Sequence, residues 1–368
     1  MIDLPVEIAP AGAGLESPPR LAVGLGAALQ RLRRWEFWPA WAVYAPLAPY
    51  IAWLGLRHGG LTVCTACNPG IPLGGVVGES KSAILNTIPA GWALPHVLLT
   101  PGPAAERLAK LTRHAGAHGW GWPVVLKPDA GERGTGVRIV GSPAEALRWL
   151  GEHRAAAIAQ QYHAGPHEAG VFYVRHPGEA RGRIFSITDK VFAHVVGDGR
   201  STVEELIHRH ARYRLQAAAH LAAAGARARE VPAAGRRVPL TPLGNHCRGT
   251  MFLDGRRLWT AELEGAIDEI GRGMGGFCFG RFDVRYADEG EFKAGRGFSV
   301  VEANGLLSES TDIYDPANGY WSAQRTLRRL WRLAFEFGAA LRRRGVRPAT
   351  VAMVARAVWG RGVLSPEY

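Results

Sequence analysis

The chain has 368 residues, 47% of them apolar, and a formal net charge of +12. That length supports two or three domains with buried cores, and the charge calls for an anionic partner: a nucleotide, a nucleic acid or a negatively charged membrane surface. Four cysteines (Cys64, Cys67, Cys247, Cys278) are too few and too scattered for a disulfide framework. The basic residues are nearly all arginine, and only five lysines occur: Lys81, Lys110, Lys127, Lys190 and Lys293. This skew, with abundant Ala and Gly, fits a GC-rich coding bias, so much of the arginine is expected on solvated surface. The lysines then stand out, because an ammonium and a guanidinium are not interchangeable at a phosphate.

Residues 1–19 are rich in Pro, Gly and Ala and lack the apolar run of a secretory signal. The stretch FWPAWAVYAPLAPYIAWLGL, 37–56, is uncharged and aromatic, with RLRRWE before it and Arg57-His58 after it. An unbroken helix of that length just spans a bilayer, but Pro39, Pro46 and Pro49 argue against one. Interfacial membrane contact, a packing layer and a span stay open; aromatic rings with basic flanks slightly favour the first. Cys64-Thr-Ala-Cys67 has no second cysteine or histidine pair to complete a zinc site, so small buried side chains are expected there. GGVVGESKS, 74–82, resembles a Walker loop, yet two residues separate Gly78 from Lys81, which breaks that pattern. A short helix is expected from Ser80, then a strand over Leu94–Thr100.

WPVVLKPDAGERGTGVRIV, 122–140, reads as two short strands around a glycine-rich connection with glycines at 131, 134 and 136. Such a loop can turn its N–H groups onto phosphate oxygens beside Lys127, and it also reads as an ordinary hairpin. A helix is expected over Ser142–His153, with strands at 157–163, 168–175, 182–190 and 191–196. This pattern is antiparallel α+β; the G-x-G-x-x-G order of a dinucleotide fold is absent. After an Ala-rich helix and basic linker (211–238), Asn245-His-Cys-Arg248 reads either as a ligand contact or as a structural loop.

In GRFDVRY, 280–286, alternation puts Arg281, Asp283 and Arg285 on one strand face and Phe282 and Val284 on the other. FSVVEANG, 298–305, likewise aligns Glu302 with Asn304, and the two strands are expected to pair as a hairpin. Asp283, Glu302 and Asn304 then offer hard oxygens of the kind Mg²⁺ takes alongside nucleotide phosphates, and Arg281 could stabilise charge on a transferring phosphoryl group. The last basic stretch, RTLRRLWRLAFEFGAALRRR, is an amphipathic helix with apolar residues available to pack.

PVVLKPDAGERGTGV, QQYHAGPHEAGVFYV, VVGDGRSTVEELI, GRFDVR and VVEANG, taken in this order, resemble the ATP-grasp superfamily, in particular carboxylate–amine ligases such as D-alanine–D-alanine ligase and cyanophycin synthetase. The resemblance covers roughly residues 79–320. It implies an α+β fold in which two α+β subdomains sandwich ATP, preceded here by an aromatic, Pro-rich N-terminal region. The expected units are 1–78, 79–196 (small subdomain), 197–345 (subdomain with the Mg²⁺ ligands) and a C-terminal tail, 346–368.

The resemblance assigns Lys127 and the earlier Lys81 to the nucleotide phosphates, and Gly131, Arg133, Gly134, Thr135 and Gly136 to the loop that closes over them. It assigns Gln160, Gln161 and Tyr162 to adenine, Glu168 to the ribose, and Lys190 to a further phosphate contact. Asp283, Glu302 and Asn304 match the metal ligands and Arg281 the arginine beside the reacting phosphate; Arg281 and Lys127 are the implied catalytic residues. The implied cofactors are ATP and Mg²⁺, two ions, with Mn²⁺ as a substitute.

Two departures matter. Residues 1–78 lack the usual N-terminal substrate domain, and GLLSESTDIYDP follows Asn304 in place of the short loop that grips a D-alanine carboxylate. D-alanine is therefore not the expected substrate; Ser308, Ser310 and Thr311 are candidate substrate contacts. The expected function is ATP-dependent ligation of an unidentified carboxylate to an unidentified amine through an acyl phosphate. The alternatives are an ATP-grasp phosphotransferase and a non-catalytic basic module on membrane or nucleic acid, the last without a nucleic-acid motif to support it. The expected location is cytoplasmic, with peripheral contact at the inner face of the membrane through 37–56.

Overall fold

The computed structural model describes residues 34–76, 79–131, 136–240, 244 and 250–364. Two antiparallel sheets organise them. The first takes β1 (His96–Leu99), β2 (Val124–Pro128), β3 (Arg138–Val140) and β4 (Ala157–Gln161) in the order β1-β4-β2-β3. Helices Ala104–Ala117 and Pro143–Glu152 cover it, burying Leu111, Trp149 and Leu150 against Leu99, Val124 and Leu126. Ser142 starts the second helix by accepting from the Glu145 N–H.

The second sheet takes β5 (His167–Val174), β6 (Arg183–Val191), β9 (Met251–Asp254), β10 (Phe279–Tyr286) and β11 (Phe298–Asn304), in the order β11-β10-β5-β6-β9. The expected boundary at 196 therefore does not divide the sheets. β5 and β6 lie downstream of the glycine hairpin in sequence, yet they pair with the acidic hairpin, because Val171, Tyr173 and Ile187 share a core with Phe282 and Val284. Helix Ala261–Gly273 covers this face with Leu263, Ile267 and Ile270. A satellite unit pairs β7 (His194–Val196) with β8 (Arg237–Pro239) under helices Val203–Arg209 and Ala217–Ala224.

The N-terminal aromatic stretch breaks where its prolines require. Pro39 precedes helix Ala40–Tyr44, Pro46 lies in a 3₁₀ turn, and Pro49 opens helix Ala48–His58, each where a missing N–H is tolerated. Among the described residues no helix is long and apolar enough to cross a membrane. Val43, Leu47 and Leu54 turn inward, against the long helix Tyr320–Arg343 and the sheet end formed by Phe172, Val174 and Phe279. Cys64 and Cys67 are buried free thiols in the same core, where burial pushes the Cys64 thiol up to about 12. The last segment is not simply a tail, since it contains helix Val351–Leu364.

The glycines that open 74–82 have a structural task. Gly74 and Gly75 adopt positive φ (68° and 94°), and their carbonyls accept from the N–H groups of Leu306 and Leu307 at 3.0 Å each. A Cβ on Gly75 would come within 2.5 Å of the Gly305 Cα, so this approach of two backbones requires glycine. Val77 and Gly78 lie outside the described residues.

Candidate active site

A cavity of about 840 Å³ lies between the two sheets. Lys127 crosses it: from β2 of the first sheet its ammonium donates to the Val301 carbonyl on β11 of the second, at 3.1 Å, and to Gln160 Oε1 at 2.9 Å. Alternation on the strand dictates this direction, since Leu126 beside it points into the opposite, apolar layer. Burial lowers the Lys127 pKa to about 8, although the Glu302 carboxylate opposes the shift.

Lys81 starts the short helix Lys81–Leu85, capped by Ser80, as expected. Its Nζ donates to Glu302 Oε1 and to the Gly131 carbonyl, both at 2.8 Å. Burial disfavours the ammonium, but the Glu302 carboxylate outweighs it and raises the pKa. Asp129 holds the start of this helix, its Oδ1 accepting from Ser82 N–H at 2.9 Å and its carbonyl from Lys81 N–H at 2.9 Å.

Across the cavity, β10 and β11 form the expected hairpin, with Asp283 opposite Glu302 and Arg281 opposite Asn304. Arg281 grips Asp283 through two hydrogen bonds, Nε to Oδ1 at 2.9 Å and Nη2 to Oδ2 at 3.2 Å. Lys190 sits 3.0 Å from Asp283 Oδ1 and 2.8 Å from Glu168 Oε1, and Arg285 Nε lies 3.1 Å from Glu168 Oε2. Burial opposes ionisation of Asp283, yet Arg281 and Lys190 hold its carboxyl down at about 2. Glu302 is held below the usual carboxylate range for the same kind of reason: Lys81 and Lys127 overcome its burial. Lys190 is raised, because Asp283 and Glu168 outweigh its own desolvation. The buried acids and cations thus neutralise one another.

Lys81, Lys127, Gly131, Gln160, Gln161, Tyr162, Glu168, Lys190, Arg281, Asp283, Glu302 and Asn304 all border this single cavity. Gly136 takes a positive φ of 72° beside Pro128, at the end of the loop. Arg133, Gly134 and Thr135 lie outside the described residues, as does Asn245–Arg248. Ser308 and Thr311 border the cavity, whereas Ser310 is fully buried and bonded to Ser186 at 2.5 Å. Among the described residues no three His, Cys, Asp or Glu side chains could together hold a metal ion. What the hairpin offers is two carboxylates and an amide, a hard-oxygen set that fits Mg²⁺ when phosphates complete the coordination.

Sequence reasoning missed the far end of the cavity. There Glu309 accepts hydrogen bonds from the Tyr44 hydroxyl at Oε1 and from the Tyr314 hydroxyl at Oε2, the latter at 2.9 Å. Burial pushes the Glu309 carboxyl up to about 7, against the lowering effect of the Tyr314 bond. The signal was the departure GLLSESTDIYDP itself, but its partner Tyr44 lies 265 residues away and no spacing rule links them.

No protein-family model and no curated protein matches the chain. Among solved structures it is similar to a bifunctional glutathione synthetase from Pasteurella multocida, at 18% identity and a TM-score of 0.36 over 68% of this chain and 36% of that one. It is also similar to D-alanine–D-alanine ligase from Bacillus anthracis, at 14% identity and a TM-score of 0.41 over 72% and 69%. For a D-cycloserine synthetase the values are 12%, 0.42, 82% and 81%. This chain thus spans 36% of the glutathione synthetase's length. At such identities and TM-scores, the functional reading is carried by the site's own geometry.

Proposed function

We propose that the chain is an ATP-grasp enzyme that joins a carboxylate to an amine through an acyl phosphate, with its nucleotide in the cleft between the two sheets. The observation that carries this reading is the convergence of Lys81, Lys127 and Lys190, from three separate segments, on one cavity that also holds Asp283 and Glu302. Lys81 and Lys190 are each paired with a carboxylate, whereas Lys127 has none within ion-pair distance among the described residues, and a phosphate oxygen supplies that partner.

Asp283, Glu302 and Asn304 would hold Mg²⁺ or Mn²⁺, which when bound neutralises phosphate charge and polarises the transferring group. Lys81 pairs with Glu302 and Lys190 with Asp283. Lys127 is the group most readily turned to the nucleotide: burial lowers its pKa to about 8, and a bound polyanion offsets that effect. Arg281, fixed by its two bonds to Asp283, presents a rigid guanidinium to the reacting end.

In the reaction, a substrate carboxylate oxygen bonds to the γ-phosphorus and ADP leaves. The neutral amine nitrogen then bonds to the carbonyl carbon, phosphate leaves with the C–O electron pair, and the proton shed by the nitrogen goes to that phosphate. Positioning and fixed charge supply the catalysis. The test is ADP release with and without added amines. Amine-dependent ADP and phosphate support ligation, and amine-independent formation of a stable phosphoproduct means phosphotransfer instead.

We further place the protein at an anionic membrane surface. Trp41 (72% exposed), Trp53 (48%) and Leu56 (83%) are exposed apolar residues of the N-terminal helices, and the Arg57 guanidinium lies 5.4 Å from the Trp53 ring centroid.

A further inference from the structure

One end of the cavity is unlike the other. The cations and acids described above crowd the part between the sheets, whereas the part lined by Trp38, Val43, Leu327, Leu330 and Trp331 carries the carboxylates Glu36 and Glu309, of which Glu36 is paired with Arg212 at 2.6 Å. Both oxygens of Glu309 are anchored by phenols, and Tyr314 is itself fixed by stacking on Trp35, with ring centroids 5.4 Å apart. Trp35 is tied in turn through its indole N–H to the Asn318 carbonyl at 2.9 Å. The carboxylate is therefore a built feature held at a fixed place, and it borders the cavity instead of pairing with a protein cation. Among the described ion pairs, Glu309 has none: the nearby Arg281 spends Nε and Nη2 on Asp283 and gives Nη1 to the Glu309 carbonyl, at 3.1 Å.

We propose that Glu309, clamped by Tyr44 and Tyr314, receives the ammonium group of the acceptor substrate, and that this acceptor carries an apolar body lodged against Val43, Leu330 and Trp331. This rests on the ligase reading above and names the substrate class it leaves open: an apolar or aromatic primary amine. A partly buried carboxylate without a cation is disfavoured by desolvation, and an entering ammonium supplies the missing charge. A neutral hydroxyl supplies a hydrogen bond without it, and a carboxylate substrate would be repelled. Arg281 donates from Nη1 to the Glu309 main-chain carbonyl and from Nε to Asp283, which ties this residue to the acidic hairpin; an ammonium held on the Glu309 carboxylate gives it a proton before the nitrogen attacks an acyl phosphate. It also gives the N-terminal aromatic region a task, since Tyr44, Val43 and Trp38 come from it and complete the pocket.

The experiment is calorimetric titration of the full-length protein, saturated with Mg²⁺ and a non-hydrolysable ATP analogue, with two probes: phenethylamine and 2-phenylethanol. The wild type should bind phenethylamine roughly tenfold more tightly than 2-phenylethanol. Glu309→Gln should erase the preference for the amine, with affinity for the ATP analogue within about twofold of wild type. Tyr44→Phe, which keeps the charge, should retain the preference. Equal binding of amine and alcohol by the wild type overturns the proposal, as does a preference that survives Glu309→Gln. If Glu309→Gln does not fold, the wild-type and Tyr44→Phe comparisons decide it alone. Failure of the wild type to bind the ATP analogue overturns the ligase reading separately, because the amine preference can then be measured without nucleotide.

Discussion

Lys81 and Glu302, 221 residues apart, meet at 2.8 Å and join the loop leaving the N-terminal region to the acidic strand of the second sheet. Each is the other's counter-charge. Lys81→Met should weaken binding of an ATP analogue by about tenfold to a hundredfold. It should also leave Glu302 without its closest cation, so the variant's melting temperature should rise more with added Mg²⁺ than the wild type's does. Titration calorimetry and thermal melts with and without Mg²⁺ check both.

Lys127 gives the nucleotide affinity a pH dependence of definite sign. Its free-state pKa is near 8, and a bound polyphosphate favours the protonated form. Affinity should be flat below about pH 8 and should fall about tenfold per pH unit above it, until the bound-state pKa is reached. Lys127→Met should bind weakly with that dependence removed. Titrations between about pH 6.5 and 9.5 read this directly.

Asp283 and Glu302 should separate on stability although both are expected to be essential for turnover. Asp283 carries Arg281 and Lys190, all three largely buried, so Asp283→Asn should cost about 3–5 kcal/mol by leaving those cations undercompensated. The Glu302 side chain is 31% exposed with one close lysine, and Glu302→Gln should fold with a loss of about 1 kcal/mol or less. Denaturant melts separate the two, and metal-dependent turnover should vanish in both.

His220 predicts an acid-labile satellite unit. It is fully buried in the core under β7 and β8, and neither ring nitrogen has a hydrogen-bond partner among the described residues. Burial, with help from His210 and Arg212, lowers its pKa to about 4. The unfolded chain binds the extra proton between about pH 6.5 and 4, so stability should fall through that window as pH drops, by about 3 kcal/mol in all. His220→Leu should flatten this part of the pH–stability curve.

The exposed Trp41, Trp53 and Leu56 predict membrane binding. Sedimentation with phosphatidylserine-containing vesicles should retain the wild type and release a Trp41→Ser, Trp53→Ser, Leu56→Ser variant that keeps its nucleotide affinity. Equal retention of both would remove these residues from the account.

Much of the site was legible because strand alternation is local. Arg281, Asp283 and Arg285 share a face through the period of two, and so do Glu302 and Asn304; Lys81 was placed by the family resemblance, with its helix start fitting that pattern. The sheet assignment of β5 and β6 was not legible. Their apolar residues suit either sheet, and only three-dimensional packing against Phe282 and Val284 decides between them. The prolines announced the breaks in 37–56, but not that Tyr44 would turn inward to Glu309 while Trp41 turned out. That distinction depends on a helix face being covered by a segment 265 residues distant.

The central claim is tested most directly by trapping the activated acid. The protein is incubated with Mg·ATP, a fractionated pool of cellular carboxylates and hydroxylamine, and ADP and hydroxamate are measured together. Carboxylate-dependent ADP release with a matching amount of hydroxamate is the expected result, both lost in Lys127→Met and Glu302→Gln. ADP release without hydroxamate, accompanied by a stable phosphorylated product, would contradict it.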